Sequence, residues 1–198
     1  YGQPLAIRSG YYTGYDNPHH FNWVRQTRAH NGVTAGGVGQ WVNNPDAAGR
    51  IAAFLRRRDF AYACGDASRA YGDRLRRFHR HVLFVDHRYF LIVDDLEAPR
   101  PTTFEFHLHA LEPIQAENRR ARIQYGGATL DAHFLSPGDV RLYTSEGFDP
   151  MVDDPKLKTQ HHVRAAIVGT ATACRMGMLL IPNRQAAPEN FEIQSLSQ

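Results

Sequence analysis

The sequence predicts an all-β fold, an antiparallel β-sandwich of two sheets forming a single domain over residues 1–198. Three observations predict it. Apolar residues recur with a period of two through most of the chain from Arg80 to Leu196, the alternation of half-buried strands. Clusters of Gly, Pro and Asp cut that pattern into many short segments, as sandwiches require. A chain of 198 residues that is 42% hydrophobic and 22% charged suffices for one sizeable core.

Helix signals are sparse. The best candidate is Pro45–Leu55, with Asn44 as cap and Pro45 or Asp46 opening the first turn. Even there, Gly49 and the β-like run Ile51–Leu55 argue for a strand. Arg80–Val85 and Tyr89–Asp94 read as two strands joined by a tight turn near Asp86-His87-Arg88. Thr102–His109 alternates cleanly, with Phe104, Phe106 and Leu108 facing one way. Residues 121–125, 128–135 and 139–144 continue the pattern across turns at Gly126-Gly127 and Pro137-Gly138. Val163–Val168 and Ala173–Ile181 read as core strands of a sheet buried on both faces, and a last strand is expected at Phe191–Leu196.

Composition narrows the function classes. No apolar run approaches the roughly 18 residues of a membrane-spanning helix. The net charge is +3, and Lys156 and Lys158 are the only lysines among 23 basic residues. That bias reads either as GC-rich coding or as a use of arginine's planar fork, which grips carboxylates bidentately. Cys64 and Cys174 lack the spacing of a metal knuckle and read as buried free thiols. The basic run Arg74–His81 would serve as a polyanion patch or as a solvated strand face. No recognised nucleic-acid-binding pattern accompanies it. Asp94-Asp95 and Asp153-Asp154 read as strand-end and loop carboxylates. Nucleophile-elbow, phosphate-loop and dinucleotide motifs are missing from the sequence.

The opening forty residues are the most specific. Ser9-Gly10-Tyr11-Tyr12, then Pro18-His19-His20, then Gln26-Thr27-Arg28-Ala29-His30-Asn31, then Gly39-Gln40 gather three His, three Tyr and a Trp between glycines. This spacing resembles the heparinase II/III-like polysaccharide lyases, most of all their oligoalginate lyase branch. Downstream, Tyr62–Tyr71, the Arg80–Asp95 strand pair and Gln160-His161-His162 are similar to later family segments. The resemblance implies the C-terminal β-sandwich part of a larger lyase. It also implies a helical toroid domain as partner, an acidic polysaccharide as substrate, and a periplasmic or secreted location.

The reaction implied is β-elimination from a uronate glycan, with alginate or its oligomers first and a heparin-like glycosaminoglycan second. It needs the C6 carboxylate neutralised, a base for the C5 proton and an acid for the departing O4 oxygen. Tyr and His serve as base and acid, and Arg, Asn, Gln or His as the carboxylate partner. The resemblance places the principal catalytic Tyr and His on the toroid, so the sandwich alone is expected to be nearly inactive. Within the sandwich, Tyr15, His19 and His20 are the candidate catalytic groups. Tyr12, Trp23, Gln26 and Arg28 are candidate substrate contacts. A non-catalytic carbohydrate-binding or structural sandwich is the competing reading.

The resemblance also implies a zinc-type site in the family, with the His of Ala-His-Asn, here His30, among its ligands. Arg8 stands where many relatives place a ligand Asp, and a guanidinium cannot ligate a metal. Tight zinc is therefore not expected of this chain. His30 is either a metal ligand or an imidazole packed under the sandwich.

Overall fold

The structure, a computed structural model, describes residues 2–152 and 154–184. The strand expected at Phe191–Leu196 and the Asp153 half of the Asp153-Asp154 pair lie outside them. Strands hold 51% of the residues and helices 8%, so the all-β expectation stands.

After an irregular opening with two helical turns, His20–Val24 and Thr27–Ala29, the chain forms β1 (Val33–Ala35), β2 (Arg50–Arg56) and β3 (Phe60–Asp66). A single turn, α1 (Ser68–Tyr71), precedes β4 (Arg77–Val85), β5 (Tyr89–Thr102), β6 (Phe104–Ala110) and β7 (Gln115–Glu117). Next come β8 (Arg120–Tyr125), β9 (Ala128–Leu135), β10 (Val140–Glu146), β11 (His161–Ile167) and β12 (Ala171–Arg184). A four-stranded sheet runs β1-β6-β11-β10 and an eight-stranded sheet runs β2-β3-β4-β5-β12-β9-β8-β7. The tight turn after β4 puts Asp86 and His87 at positive φ, and Gly126-Gly127 turn β8 into β9.

One ambiguity resolves and one sequence expectation changes. Pro45–Leu55 is not a helix: Asn44 caps only a turn, its Oδ1 accepting from the Asp46 N–H, and the chain then enters β2 and pairs with β3. The β-like run after Gly49 prevails over the cap. Strands β11 and β12 are not apolar on both faces. Val163, Ala165, Met176 and Met178 enter the core, while the side chains of Arg164 and Arg175 are 43% and 75% exposed. Ala and Gly between the larger residues give these strands their continuous apolar look. Cys64 and Cys174 are free thiols, the first buried and the second half-buried.

Between the sheets, Phe104, Phe106 and Leu108 of β6 pack with Leu96, Met176, Met178 and Phe134 of the large sheet. One charged pair is enclosed there. Arg80 donates from Nε and Nη2 to Asp94 at 2.7 and 2.8 Å, and from Nη1 to the Asn31 carbonyl at 2.8 Å. The Phe78 and Phe106 rings flank its guanidinium at 5.5 and 5.4 Å. Burial opposes the charge on Arg80, but the Asp94 carboxylate outweighs it and holds the pKa above its ordinary value.

The alternation of β6 turns His107 and His109 to the opposite face of the small sheet, yet both are buried. The opening segment covers them as a third layer. Ile7 N–H donates to the His109 carbonyl, and His107 N–H donates to the Gly32 carbonyl. This layer carries the candidate site.

Removing the carboxylate at Asp94 leaves a buried cation unpaired. We expect Asp94→Ala to cost about 3–5 kcal/mol in urea denaturation. The double variant Arg80→Met with Asp94→Leu should regain most of that loss.

Candidate functional site

The site rests on a knot at Ser9-Gly10. Gln160, buried just before β11, accepts from the Ser9 hydroxyl at 3.0 Å and the Gly10 N–H at 2.8 Å through one oxygen. Trp23 Nε1–H donates to the Ser9 hydroxyl at 3.0 Å. Gly10 has φ +97°, and a Cβ there would lie 2.8 Å from Val24 and 2.9 Å from Trp23, so only glycine lets the chain pass this close. Asn17 Oδ1 accepts the His20 N–H at 2.8 Å and caps the turn that follows.

That turn divides the two adjacent histidines. His19 points inward against Phe148, with ring centroids 4.9 Å apart, and its Nε2 accepts the Tyr11 N–H at 3.1 Å. Burial lowers its pKa, so His19 is a neutral structural acceptor. His20 lies under two phenols. Its ring centroid is 5.6 Å from Tyr12 and 5.5 Å from Tyr15, and the phenols are 5.2 Å from each other. Tyr12 and Tyr15 are 56% and 70% exposed, whereas His20 is 6% exposed and its Nδ1 has no hydrogen-bond partner.

Two cavities meet at Arg28. A polar one of about 600 Å³ includes Pro18, Asn22, Gln26, Thr34 and Asp149 in its lining. A smaller one of about 280 Å³ lies over Trp23, His107, His109, His162 and Arg164. Trp23 is 8% exposed, so it is a wall rather than an open stacking platform, and Arg28 lies over its ring at 5.2 Å. Arg28 Nη2 donates to the Asn22 and Asp149 carbonyls at 3.0 and 2.8 Å. Gln26 Nε2 donates to the Phe21 carbonyl at 2.7 Å.

The structure thus brings Tyr12, Tyr15 and His20 together and sets Trp23, Gln26 and Arg28 around the two cavities. His19 and His30 face inward instead. His30 Nε2–H donates to the Val24 carbonyl at 3.1 Å, and burial, helped by the nearby Arg8 charge, lowers its pKa although the Val24 bond opposes the shift. Among the described residues no three His, Cys, Asp or Glu side chains converge as metal ligands. His30 and its surroundings therefore do not fit a zinc site built from this chain's own residues.

Sequence reasoning assigned no site role to His107 and His109, and took His162 only as part of a family-like strand. The signal was present, because alternation that turns Phe106 and Leu108 inward turns His107 and His109 outward. The β6–β11 register then sets His162 opposite His109. His162 Nε2–H donates to the Gly147 carbonyl at 2.6 Å, while the neutral His109 ring, with one proton to share, lies between the His162 Nδ1 at 2.8 Å and the His30 carbonyl at 3.2 Å. His107 Nε2–H donates to the Thr34 hydroxyl at 2.9 Å, which donates onward to Glu105, itself paired with Arg164. Burial pushes His107 down to about 4 and His109 to about 3, and lowers His162 as well.

Comparisons with known proteins agree with this architecture. The family model described as heparinase II/III-like, C-terminal, matches residues 1–173. No curated protein matches the chain. Among solved structures, a heparinase III described as the BT4657 gene product is 17% identical with a TM-score of 0.74, over 91% of this chain and 28% of that one. A mutant of the heparan sulfate lyase HepC from Pedobacter heparinus is 20% identical with a TM-score of 0.72, over 93% and 29%. A further heparinase III is 15% identical with a TM-score of 0.69, over 88% and 26%. At these identities the likeness shows the fold. The chain spans less than a third of each of these solved chains.

The buried imidazoles make stability pH-dependent in a definite direction. His107 and His109 stay neutral when folded but charge near 6.5 when unfolded, so their contribution is complete above pH 6.5 and lost as pH falls toward 4. Between those values each group should remove up to about 1.4 kcal/mol per pH unit. Urea midpoints measured from pH 8 to pH 4 should fall accordingly, and His109→Gln should shallow the slope by about one proton.

Proposed function

The chain belongs to the heparinase II/III-like C-terminal family, and from that membership we propose that it is the β-sandwich part of a polysaccharide lyase that cleaves uronate-containing acidic glycans by β-elimination. The observation that carries the reading is the exposed Tyr12–Tyr15 pair above the His20 ring, on the layer that also bears the Arg28 cavities. Proton transfer at C5 and neutralisation of the adjacent carboxylate act on neighbouring atoms of one sugar, so their protein groups must share one surface.

In this reading the sandwich is one wall of the cleft. Tyr15 and His20 move protons at C5 and O4, while Tyr12 packs the ring of His20 in place. Arg28, whose Nη1 lies 3.4 Å from the exposed Asp149 carboxylate, exchanges that partner for the substrate carboxylate, and Gln26 lines the same cavity. A helical toroid supplies the rest of the catalytic set. The structural likeness to HepC, a heparan sulfate lyase, supports a heparin-like glycan. The oligoalginate-like spacing of the opening segment supports alginate. Both substrates carry the uronate that this chemistry needs. A periplasmic or secreted location follows from the same reading, since long acidic glycans are met there.

On alginate and heparan sulfate, the purified 198-residue chain should form little or no unsaturated product by ultraviolet absorbance. In a lyase that joins a toroid to this sandwich, His20→Ala or Tyr15→Phe should lower kcat by about 10²–10⁴-fold. The thermal midpoint should barely move. Unchanged turnover in both variants would favour the non-catalytic carbohydrate-binding sandwich, and robust turnover by the isolated chain would move the whole catalytic set into it.

A further inference from the structure

A cavity of about 790 Å³ lies on the other side of the molecule, on the face of the large sheet turned away from β6 and β11. Its floor exists because Gly177 stands in the middle of the central strand β12, in register with Val93 of β5 and Leu135 of β9. With no side chain between those two, the sheet carries a trough. A Cβ at Gly177 would sit 3.1 Å from Leu135 Cβ and 3.3 Å from its carbonyl oxygen, so the position is filled to the backbone and no further.

Arginine rims this apolar floor. Arg175 lies two residues before Gly177 and so on the same face; its side chain is 75% exposed and reaches Asp95 only at 3.6 Å. Arg120 stands opposite His133 in the β8–β9 register. Its Nε and Nη2 donate to Asp131 at 3.1 and 2.8 Å, leaving Nη1 without an assigned partner in that clamp. Asp131 is 5% exposed and is also held by Arg122, so it acts from behind as a post that aims the guanidinium. Arg119 is fixed by the Ser136 and Gly138 carbonyls, each at 3.0 Å, and its Nη2 also reaches the exposed Asp139 at 3.4 Å. Among the described residues lining the trough there is no carboxylate, whereas three guanidinium groups and His133 face it.

The geometry points to a second glycan-binding site here, separate from the Tyr15–His20 surface, in which Arg120 and Arg175 hold the carboxylate or sulfate groups of an acidic oligosaccharide over the Gly177 floor. Two features fit this ligand. The volume lies within the range of small-molecule sites, room for a short run of sugars. An apolar floor with a charged rim matches a pyranose, whose ring faces carry C–H groups and whose edges carry the anions. Guanidinium groups already fixed by Asp131 and by backbone carbonyls lose little freedom on binding. The inference rests on the acidic-glycan reading and adds a site that holds a long chain without touching the reacting bond.

The test titrates the 198-residue chain with a heparan sulfate hexasaccharide, an alginate hexasaccharide and neutral maltohexaose, followed by amide NMR shifts. The acidic sugars should shift Gly177, His133 and Arg175, and Arg175→Glu should weaken that binding about tenfold or more. Arg175 is exposed, so this variant keeps its fold; adding Arg120→Gln should weaken binding further and flatten its salt dependence. Arg28→Ala should leave the Gly177 shifts unchanged. Acidic sugars that shift only the Tyr15–His20 region would overturn the second site and leave the lyase reading standing. Equal binding of maltohexaose, or inorganic sulfate competing at equal affinity, would also overturn it. Binding of no acidic sugar anywhere would remove the glycan reading itself.

Discussion

The buried contact between Arg80 and Asp94 governs how the rest of this molecule is arranged. An ion pair enclosed between two sheets is expensive to desolvate, and it persists only when every polar atom has a partner. Asp94 uses both oxygens on Arg80, and the guanidinium sends its remaining Nη1 to the Asn31 carbonyl. That last bond couples the interior to the outer layer. Asn31 in turn accepts the His109 N–H through its side chain at 3.2 Å. The Ala29-His30-Asn31 segment is thus held from inside by a charge, and the His109–His162 pair is held by that segment.

From this anchor the opening forty residues acquire their shape. The His109–His162 surface of the small sheet needs a cover, because two imidazoles and the backbone around them cannot be left half-solvated without losing their bonds. The segment through Ser9-Gly10 supplies it, pinned by the single carboxamide of Gln160. Once it lies there, alternate side chains have opposite fates. His19 and His30 fall on the packed side and satisfy backbone groups, while Tyr12, Tyr15 and the edge of His20 remain toward solvent. The same motif is therefore partly scaffold and partly surface. His30 illustrates the division: its ring nitrogen is committed to the Val24 carbonyl, and Arg8 adds a positive charge nearby, so the histidine of the family motif is engaged here with the backbone.

The fold was legible because alternation is a one-dimensional signal, set by the pleat itself. Strands β8, β9 and β10 and the turns between them followed from it within a residue or two. Strand β2 was ambiguous because cap and strand signals overlap within a few residues of Asn44, and only pairing with β3 decides between them. The site was less legible. Tyr12, Tyr15 and His20 share a surface because of the cap at Asn17 and the turn after it. No local pattern distinguishes His19 from His20, since their separation depends on a helical turn of five residues, too short for a periodicity. The arginine trough was invisible for another reason: its members come from β8, β12 and the turn before β8, and meet only through a sheet order that sequence does not reveal.

Arginine's dominance over lysine takes on structural meaning in this arrangement. Arg80 is largely buried, its side chain 25% exposed, in a place where a compact, strongly hydrated ammonium would lose far more than a planar guanidinium flanked by Phe78 and Phe106. Arg28 and Arg164 lie over the rings of Trp23 and Tyr143 while still reaching oxygen acceptors, which requires a flat cation with several donors. Arg120 and Arg122 share one buried carboxylate and keep part of each fork turned outward. In all these places the charge is fixed in direction as well as in position. The proposed acidic-glycan sites would benefit from that rigidity, because an aimed guanidinium meets a carboxylate or sulfate without first being ordered by it. Codon bias can raise arginine content, but it does not place the forks. The sheets do, by presenting each of these arginines beside a partner that fixes the direction of its fork.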